Sequence, residues 1–540
     1  FMDIKLILLA IALVVVIPFL IYYVRTAKRD HPKGLIAAAL SNMGERFGYY
    51  IMNAVLTLFL CSKFGLEDAT AAIIYSFFYC GIYILSLVGG IIADKTQNYK
   101  GTIQKGLLTM AIGYVLLAIP ITSTSDNTSW LLPLTCFALF LIAFGNGLFK
   151  GNLQAIIGQL YDNFEAEAAK KGEKELAEAK DKRDSGFQIF YVFINIGGLI
   201  APFIAPLIRE WWLKFNGFLY NPKLPALCHG QIAGTLDAGK MANYNELSAN
   251  AVTTASSFDP NSYLEVFNQG VHFSFIASVI AMLISLTIFL VTKKKLPAPI
   301  KKAAAEVANY TEEEKLAMAK EIKQRIAALC AVLGIAIFFW FSFHQNGASF
   351  SLFARDFMNN TVAPEILQAI NPFLVIVLTP IIMVLFASLA KKGKAISTPR
   401  KIAMGMGLAA LAYLFLTVFS YIMGYPSATD FLAMPEAQQE SMRCGVWVFF
   451  ITYFFLTVAE LFISPLGLSF VSKVAPRHMV GLCQGLWLGA TAVGNAFLFL
   501  GTMMYNSIPL WVCWTVFVVI CLISMGVMFG MVKWLERVAK

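Results

Sequence analysis

The chain alternates along its whole length between apolar blocks of about twenty residues and short polar segments. Wound as a helix, a block of that length spans the roughly 30 Å hydrocarbon core of a bilayer. In lipid every backbone N–H and C=O needs a partner within the segment, so long apolar runs read as helices. Thirteen spans are predicted: 4–24, then about 35–61, 69–93, 103–122, 130–158, 186–208, 270–292, 326–350, 366–390, 401–424, 444–472, 480–504 and 508–534. The expected class is an all-α polytopic membrane protein. The first run resembles a signal peptide, but its Lys/Arg cluster follows the apolar stretch and no small-residue cleavage site comes after it. It therefore reads as a retained helix, and residues 2–24 are an extra N-terminal span.

Composition agrees. Of 540 residues, 58% are hydrophobic and 14% charged, against roughly 25% charged in soluble domains. That excludes a soluble enzyme, a nucleic-acid binder and a secreted disulfide scaffold. The 9 cysteines are scattered, with no CxxC or Cys/His cluster, so neither structural zinc nor a disulfide framework is supported. No nucleophile–base set is visible. The chain does not read as an enzyme and points to no cofactor.

The distribution of positive charge predicts orientation. Loops 25–34, 94–105, 159–184, 293–325, 391–401 and 473–478, with the tail, hold 32 Lys and Arg; the opposite loops hold 8. The basic set is expected in the cytoplasm, with the N-terminus outside and the C-terminus inside. No organellar transit segment is visible, so a bacterial inner (plasma) membrane is the expected location.

Within 159–184 an Ala/Glu/Lys run predicts a solvated helix. Segment 293–325 is a polar cytoplasmic linker, continuing into a polar helix, that divides the remaining twelve spans into bundles at 35–292 and 326–534. Segment 209–269 is an external insertion with Asn, Ser, Thr and Pro turn signals; it is a cap or a partner site without visible chemistry.

Charge inside lipid is costly, so intramembrane ionisable groups are functional candidates: Glu45, Arg46, Lys150, His344 and Glu460. In SNMGERFGYYIMN, Asn42, Glu45, Arg46, Tyr49, Tyr50 and Asn53 fall within an arc of about 140° on one helix face. A face polar for three turns points at a wet cavity or at partner helices, beyond what one packing ion pair needs. Lys150 stands in a glycine-rich helix, either seeking a carboxylate or snorkelling to the loop. Glu460 is mid-span, with Pro465 expected to break its helix a turn later. A carboxylate that alternately pairs with a cation and loses it loads and releases a proton. His344, beside Gln345 and one turn after Trp340, is either a satisfied polar group or a second proton acceptor.

GFQIFYVFINIGGL (186–199) closely resembles the signature of the proton-dependent oligopeptide transporter family, a branch of the major facilitator superfamily. NMGERFGYY resembles the family's Glu-x-x-Glu-Arg-Phe-x-Tyr-Tyr motif. GGIIADKTQNYKGT, GLFKGNLQAIIGQLYD, FFWFSFHQNGAS, AINPFLVIVLTPI, AELFISPLGLSFVSKVAP and GLCQGLWLGATAVGN match further family segments in order. The resemblance implies the major facilitator fold, two six-helix bundles with a cavity between them, and proton-driven uptake of di- and tripeptides by alternating access. The proton gradient is then the driving force. Glu45, Arg46 and Lys150 match the proton-coupling group. Glu460 matches the glutamate that receives the peptide amino terminus and pairs with the lysine. Tyr49, Tyr50, Tyr83, Asn195, Trp340, Asn371 and Trp487 match cavity positions.

Three departures qualify this reading. Asn42 replaces the first motif glutamate, Asn53 the cavity arginine, and His344 the acidic residue before the helix 7 glutamine. The last two are opposite charges closing the outer gate in the family; here Asn53 and His344 are expected to meet there, with His344 titrating. Without the arginine, a peptide carboxylate has Lys150 and tyrosine hydroxyls but no bidentate fork. The expected partners are a small peptide substrate and the lipid bilayer. A modified peptide or non-peptide cargo is the second reading. A transport-dead scaffold subunit, holding a protein partner through the N-terminal helix or 209–269, is the third.

Overall fold

The structure is a computed structural model describing residues 4–124, 126–253, 257–297, 312–359, 362–394, 396–474 and 480–538. Thirteen helices among these residues are long and apolar enough to cross a membrane. The described residues contain no strand beyond the isolated bridges Phe218–Val252 and Met358–Cys444. Contacts divide the chain into two units.

The first unit comprises Phe1–Ile300, Phe350–Phe373 and Thr429–Val446. Its long helices are α1 (Ile4–Asp30), α2 (Leu35–Phe64), α3 (Asp68–Thr96), α4 (Tyr99–Ala118), α5 (Thr128–Ala169) and α6 (Glu173–Phe215), followed by the short α7 (Leu224–Ala233) and α8 (Ala238–Ala249), and then α9 (Pro260–Thr292). Helix α2 packs on α6 and α9, and α5 on α3 and α4. Close approach explains Gly147 of α5 and Gly89 of α3: a Cβ on Gly147 would run into the backbone of Leu85, and one on Gly89 into the backbone of Gly147. Helix α2 ends at Gly65, whose φ of 62° closes the helix with its N–H on Cys61 O. His229 of α7 docks there, its Nε2 2.7 Å from Ser62 O. Side chains start three of these helices: Asn98 caps α4, Asp237 caps α8 and Asp259 caps α9.

The second unit comprises Lys301–Ser349, Leu374–Ala428 and Trp447–Lys540. The C-terminal half of the chain contributes α10 (Glu312–Phe343), α11 (Ser349–Phe357), α12 (Ile370–Lys391), α13 (Thr398–Ile422), α14 (Ala428–Leu432), α15 (Glu436–Met442), α16 (Val446–Val474), α17 (Val480–Ala496), α18 (Leu498–Ser507) and α19 (Leu510–Val538). Helix α13 packs on α19, and α10 on α17 and α19.

Several boundaries differ from the sequence reading. The Ala/Glu/Lys run is no separate helix: its high helix propensity carries α5 on to Ala169 and starts α6 at Glu173, leaving a turn at 170–172. The insertion shrinks accordingly, since α6 reaches Phe215 and α9 starts at Pro260. Helix α16 runs unbroken past position 465 to Val474; proline is tolerated where neighbours and local adjustment re-satisfy the freed carbonyl. Segments 350–373 and 429–446, assigned from sequence to the C-terminal bundle, belong by contacts to the first unit. Of the predicted linker, 298–311 lie outside the described residues, as do 475–478 of the last basic loop and residues 2–3 of the first span.

Candidate proton and substrate site

Helix α2 buries its polar stripe. Arg46 closes a fork on its chain neighbour Glu45, with Nε on Oε2 at 2.6 Å and Nη2 on Oε1 at 2.7 Å. Asn146 of α5 adds a third donor, Nδ2 to Glu45 Oε1 at 2.7 Å. Glu45 is fully buried and Arg46 nearly so. A carboxylate removed from water is tolerable only with such a complete donor set, and losing one charged partner leaves the other uncompensated. Neutralising Glu45 would remove the charge that balances Arg46.

Aromatic rings lead away from this pair. The Arg46 guanidinium lies 4.5 Å from the Tyr49 ring centre. Tyr49 stacks on Tyr79 at 6.5 Å, Tyr79 meets Tyr83 at 5.8 Å, and Lys150 Nζ sits 4.8 Å over Tyr83. Tyr50 packs edge-on against Tyr49 and abuts Gly198 of α6, as does Pro372, next to Asn371. Lys150 is no end-of-helix lysine, because α5 continues to Ala169; cation–π contact with a tyrosine face suits an ammonium held off water.

Asn53 occupies the other end of the stripe. Its Oδ1 accepts from the Tyr49 and Tyr75 hydroxyls, and its Nδ2 donates to Gln368 Oε1, all at 3.3 Å. Asn42 is buried on the same face, but its Nδ2 has no hydrogen-bond partner among the described residues. Asn195 turns back on its own helix, donating to Tyr191 O at 3.1 Å.

In the second unit two helices are interrupted and tied together. A 3-10 turn, His344–Gly347, interrupts the helix between Phe343 and Ser349, and α17 gives way to α18 at Phe497. His344 Nδ1 lies 2.6 Å from Asn495 Oδ1, and Gln345 Nε2 donates to Leu498 O at 3.2 Å. Trp340 stacks on the His344 ring with centroids 4.8 Å apart. Discontinuous helices free backbone groups at membrane depth, a recurring setting for ion and substrate sites. Glu460 is half-buried on α16. Trp487 is buried with its ring against Gly467 of α16.

Several polar residues were not singled out from sequence. Asn146 precedes Lys150 by one turn, and that i, i+4 spacing was the available signal. Arg355 forms a fork on Asp68 at 2.8 and 2.9 Å while its Nε holds Asp356 at 2.7 Å. Lys63 contacts His272 at 2.7 Å. These residues sit near span ends, where charge looks ordinary in sequence. No group of three metal-ligating side chains occurs among the described residues.

The family model for the POT family matches residues 100–511. The chain belongs to the POT family. Similar relatives include dipeptide and tripeptide permease B of Shigella dysenteriae, 26% identical over 94% of this chain and 96% of the relative. Peptide transporter YePEPT of Yersinia enterocolitica is 26% identical, covering 86% of each chain. Among solved structures, a peptide transporter POT in complex with sulfate superposes with a TM-score of 0.67 at 20% identity, over 94% of this chain and 96% of that one. A POT family transporter in complex with a thioalcohol conjugated peptide gives 0.66 at 19%, over 95% and 98%. These likenesses fix the fold of this POT family member as that of the major facilitator superfamily.

Proposed function

We propose that this POT family protein is a proton-coupled symporter that takes up di- and tripeptides by alternating access, driven by the proton gradient and without a cofactor. The observation that carries the reading is the buried Glu45–Arg46–Asn146 group joined through Tyr49, Tyr79 and Tyr83 to Lys150. Glu45 is the protonated group, and Arg46 the cation released when it is neutral. Lys150 on α5 and Glu460 on α16 serve the peptide carboxylate and amino terminus, and Tyr49, Tyr50, Tyr83, Asn195, Trp340, Asn371 and Trp487 line the pocket. The charge asymmetry of the loops supports a bacterial plasma membrane protein with its C-terminus in the cytoplasm.

A second cargo class is favoured by one observation: the Asn53 amide, standing where the family has an arginine, is taken up by Tyr49, Tyr75 and Gln368. That removes a fork for the free carboxylate and suits a peptide derivative. Uptake into proteoliposomes under an imposed proton gradient, with a panel of free and carboxyl-modified peptides, tests both. Gradient-driven uptake competed by dialanine supports the first. Competition only by modified peptides supports the second, and no uptake of either refutes transport of this class.

A further inference from the structure

The polar cap of the first unit holds a half-open cavity of about 490 Å³. Its walls come from the end of α2, from α7 and α8, from Arg355–Asp356 and from the 432–439 segment. The cavity is built, not incidental. Asn243 of α8 donates to Met434 O and accepts from Glu436 N, both at 2.7 Å, pinning the start of α15 against the insertion. Arg355 is largely committed, with four N–H bonds on Asp68 and Asp356.

Two other charged groups are not saturated. Lys223, buried to within 4% of full coverage, donates to Gln439 Oε1 at 2.5 Å and stands 3.9 Å from Glu436 Oε2. An ammonium has three protons; among the described residues one has a hydrogen-bond acceptor, and the Phe431 ring lies 5.3 Å away. Glu436 Oε1 accepts from Arg443, while its Oε2 is buried without a hydrogen-bond partner among the described residues. Groups like these are expensive to bury incompletely satisfied. The remaining demand is one acceptor near Lys223 and one donor near Glu436. Phe64, Leu227, Leu236 and Leu432 supply an apolar wall beside them. A simple anion meets Glu436 and Asp356, and a simple cation meets Lys223 and Arg355; a molecule bearing both charges meets neither penalty. The volume falls within the roughly 300–1,000 Å³ of small-molecule sites.

We infer that this cavity is a second binding site, for a dipeptide-sized zwitterion whose carboxylate takes Lys223, whose ammonium takes Glu436 and whose side chains lie on the Phe64–Leu227 wall. It lies in the cap and does not depend on the membrane-embedded site or on the transport reading.

Hydrogen–deuterium exchange of the full-length protein in lipid nanodiscs tests it, with dialanine as the probe. Dialanine is expected to slow exchange across 224–243 and 432–443 in the wild type and in Glu460→Gln. Lys223→Met removes a charge-assisted hydrogen bond, so the dialanine concentration for half-protection rises ~10–100-fold. Leu227→Trp fills the cavity without touching a charge and abolishes protection; it decides the matter if Lys223→Met does not fold. Acetate and ethylammonium each protect neither segment. The inference is overturned by absence of protection in the wild type, or by protection unchanged in Leu227→Trp. Equal protection by acetate also overturns it, as does loss of the signal in Glu460→Gln, which traces it to the membrane site.

Discussion

Arg209 of α6 and Glu365 form a buried ion pair, with Nη1 on Oε1 at 2.5 Å and Nη2 on Oε2 at 3.4 Å. The guanidinium lies against two rings, 4.1 Å from the Tyr220 centre and 5.0 Å from that of Phe267. Together with Arg355–Asp68 it fastens segment 350–373 to helices from the N-terminal half of the chain. That is why the segment groups with the first unit rather than with its sequence neighbours.

Removing one partner strands the other. Arg209→Met is expected to destabilise the protein by about 3–5 kcal/mol, and Arg209→Met/Glu365→Leu by much less, because no lone charge stays buried. Thermal unfolding in detergent reads both. A double variant as unstable as the single would count against the pair as the source of the loss.

Glycine at the α3–α5 crossing is a packing requirement. Gly147→Ala places a methyl into the backbone of Leu85 and is expected to cost about 1–3 kcal/mol, seen as a lower melting temperature. Gly90, two residues before Ile92 on α3, has open space around a Cβ, so Gly90→Ala is expected to leave the melt unchanged or slightly raised.

In the proposed cycle Glu45 is the group whose protonation frees Arg46. Glu45→Gln is expected to drop gradient-driven uptake to background while counterflow exchange of substrate persists. Parallel loss of counterflow would show that the residue shapes the pocket instead of coupling the proton.

His344 Nδ1 lies 2.6 Å from Asn495 Oδ1, and an imidazole is the side chain whose ordinary titration falls near neutral pH. If it titrates during transport, His344→Gln shifts the pH profile of uptake. A variant that still accumulates substrate with the wild-type profile removes His344 from the proton path.

Lys223 ties stability to pH. Burial pulls its ammonium down to about 8, assisted by Arg443 and opposed by Glu436. In the unfolded chain it stays protonated to near its ordinary value, about 10.4. Between these limits the unfolded state holds more protons, so stability rises with pH over about pH 8–10. Subtracting the Lys223→Met melting curve from the wild type isolates this slope; a flat difference contradicts the burial.

Apolar periodicity alone made all thirteen spans legible, because lipid leaves a long apolar run few alternatives to a helix. The α2 stripe was legible for the same reason in reverse: Asn42, Glu45, Arg46 and Tyr49 recur at helical spacing where apolar residues belong. Partners were less accessible. Glu45–Asn146 spans 101 positions and Arg209–Glu365 spans 156, and only tertiary packing decides which polar residue meets which. Charges near span ends, such as Asp68 and Arg355, look like ordinary loop residues until the fold pairs them. Helix breaks were misjudged because local rules weigh proline heavily: position 465 continues the helix, whereas the interruption at 344–347 contains no proline.

The meeting of α5 and α6 at 170–172 has a mechanical consequence. A helix of 42 residues is about 63 Å long, roughly twice the hydrocarbon thickness. The two shafts therefore project well past the lipid as a lever arm. A tilt of about 10° at the bilayer sweeps a tip ~30 Å away through ~5 Å, so a spin label at the exposed Lys170 turns small rotations of the first unit into a readable displacement.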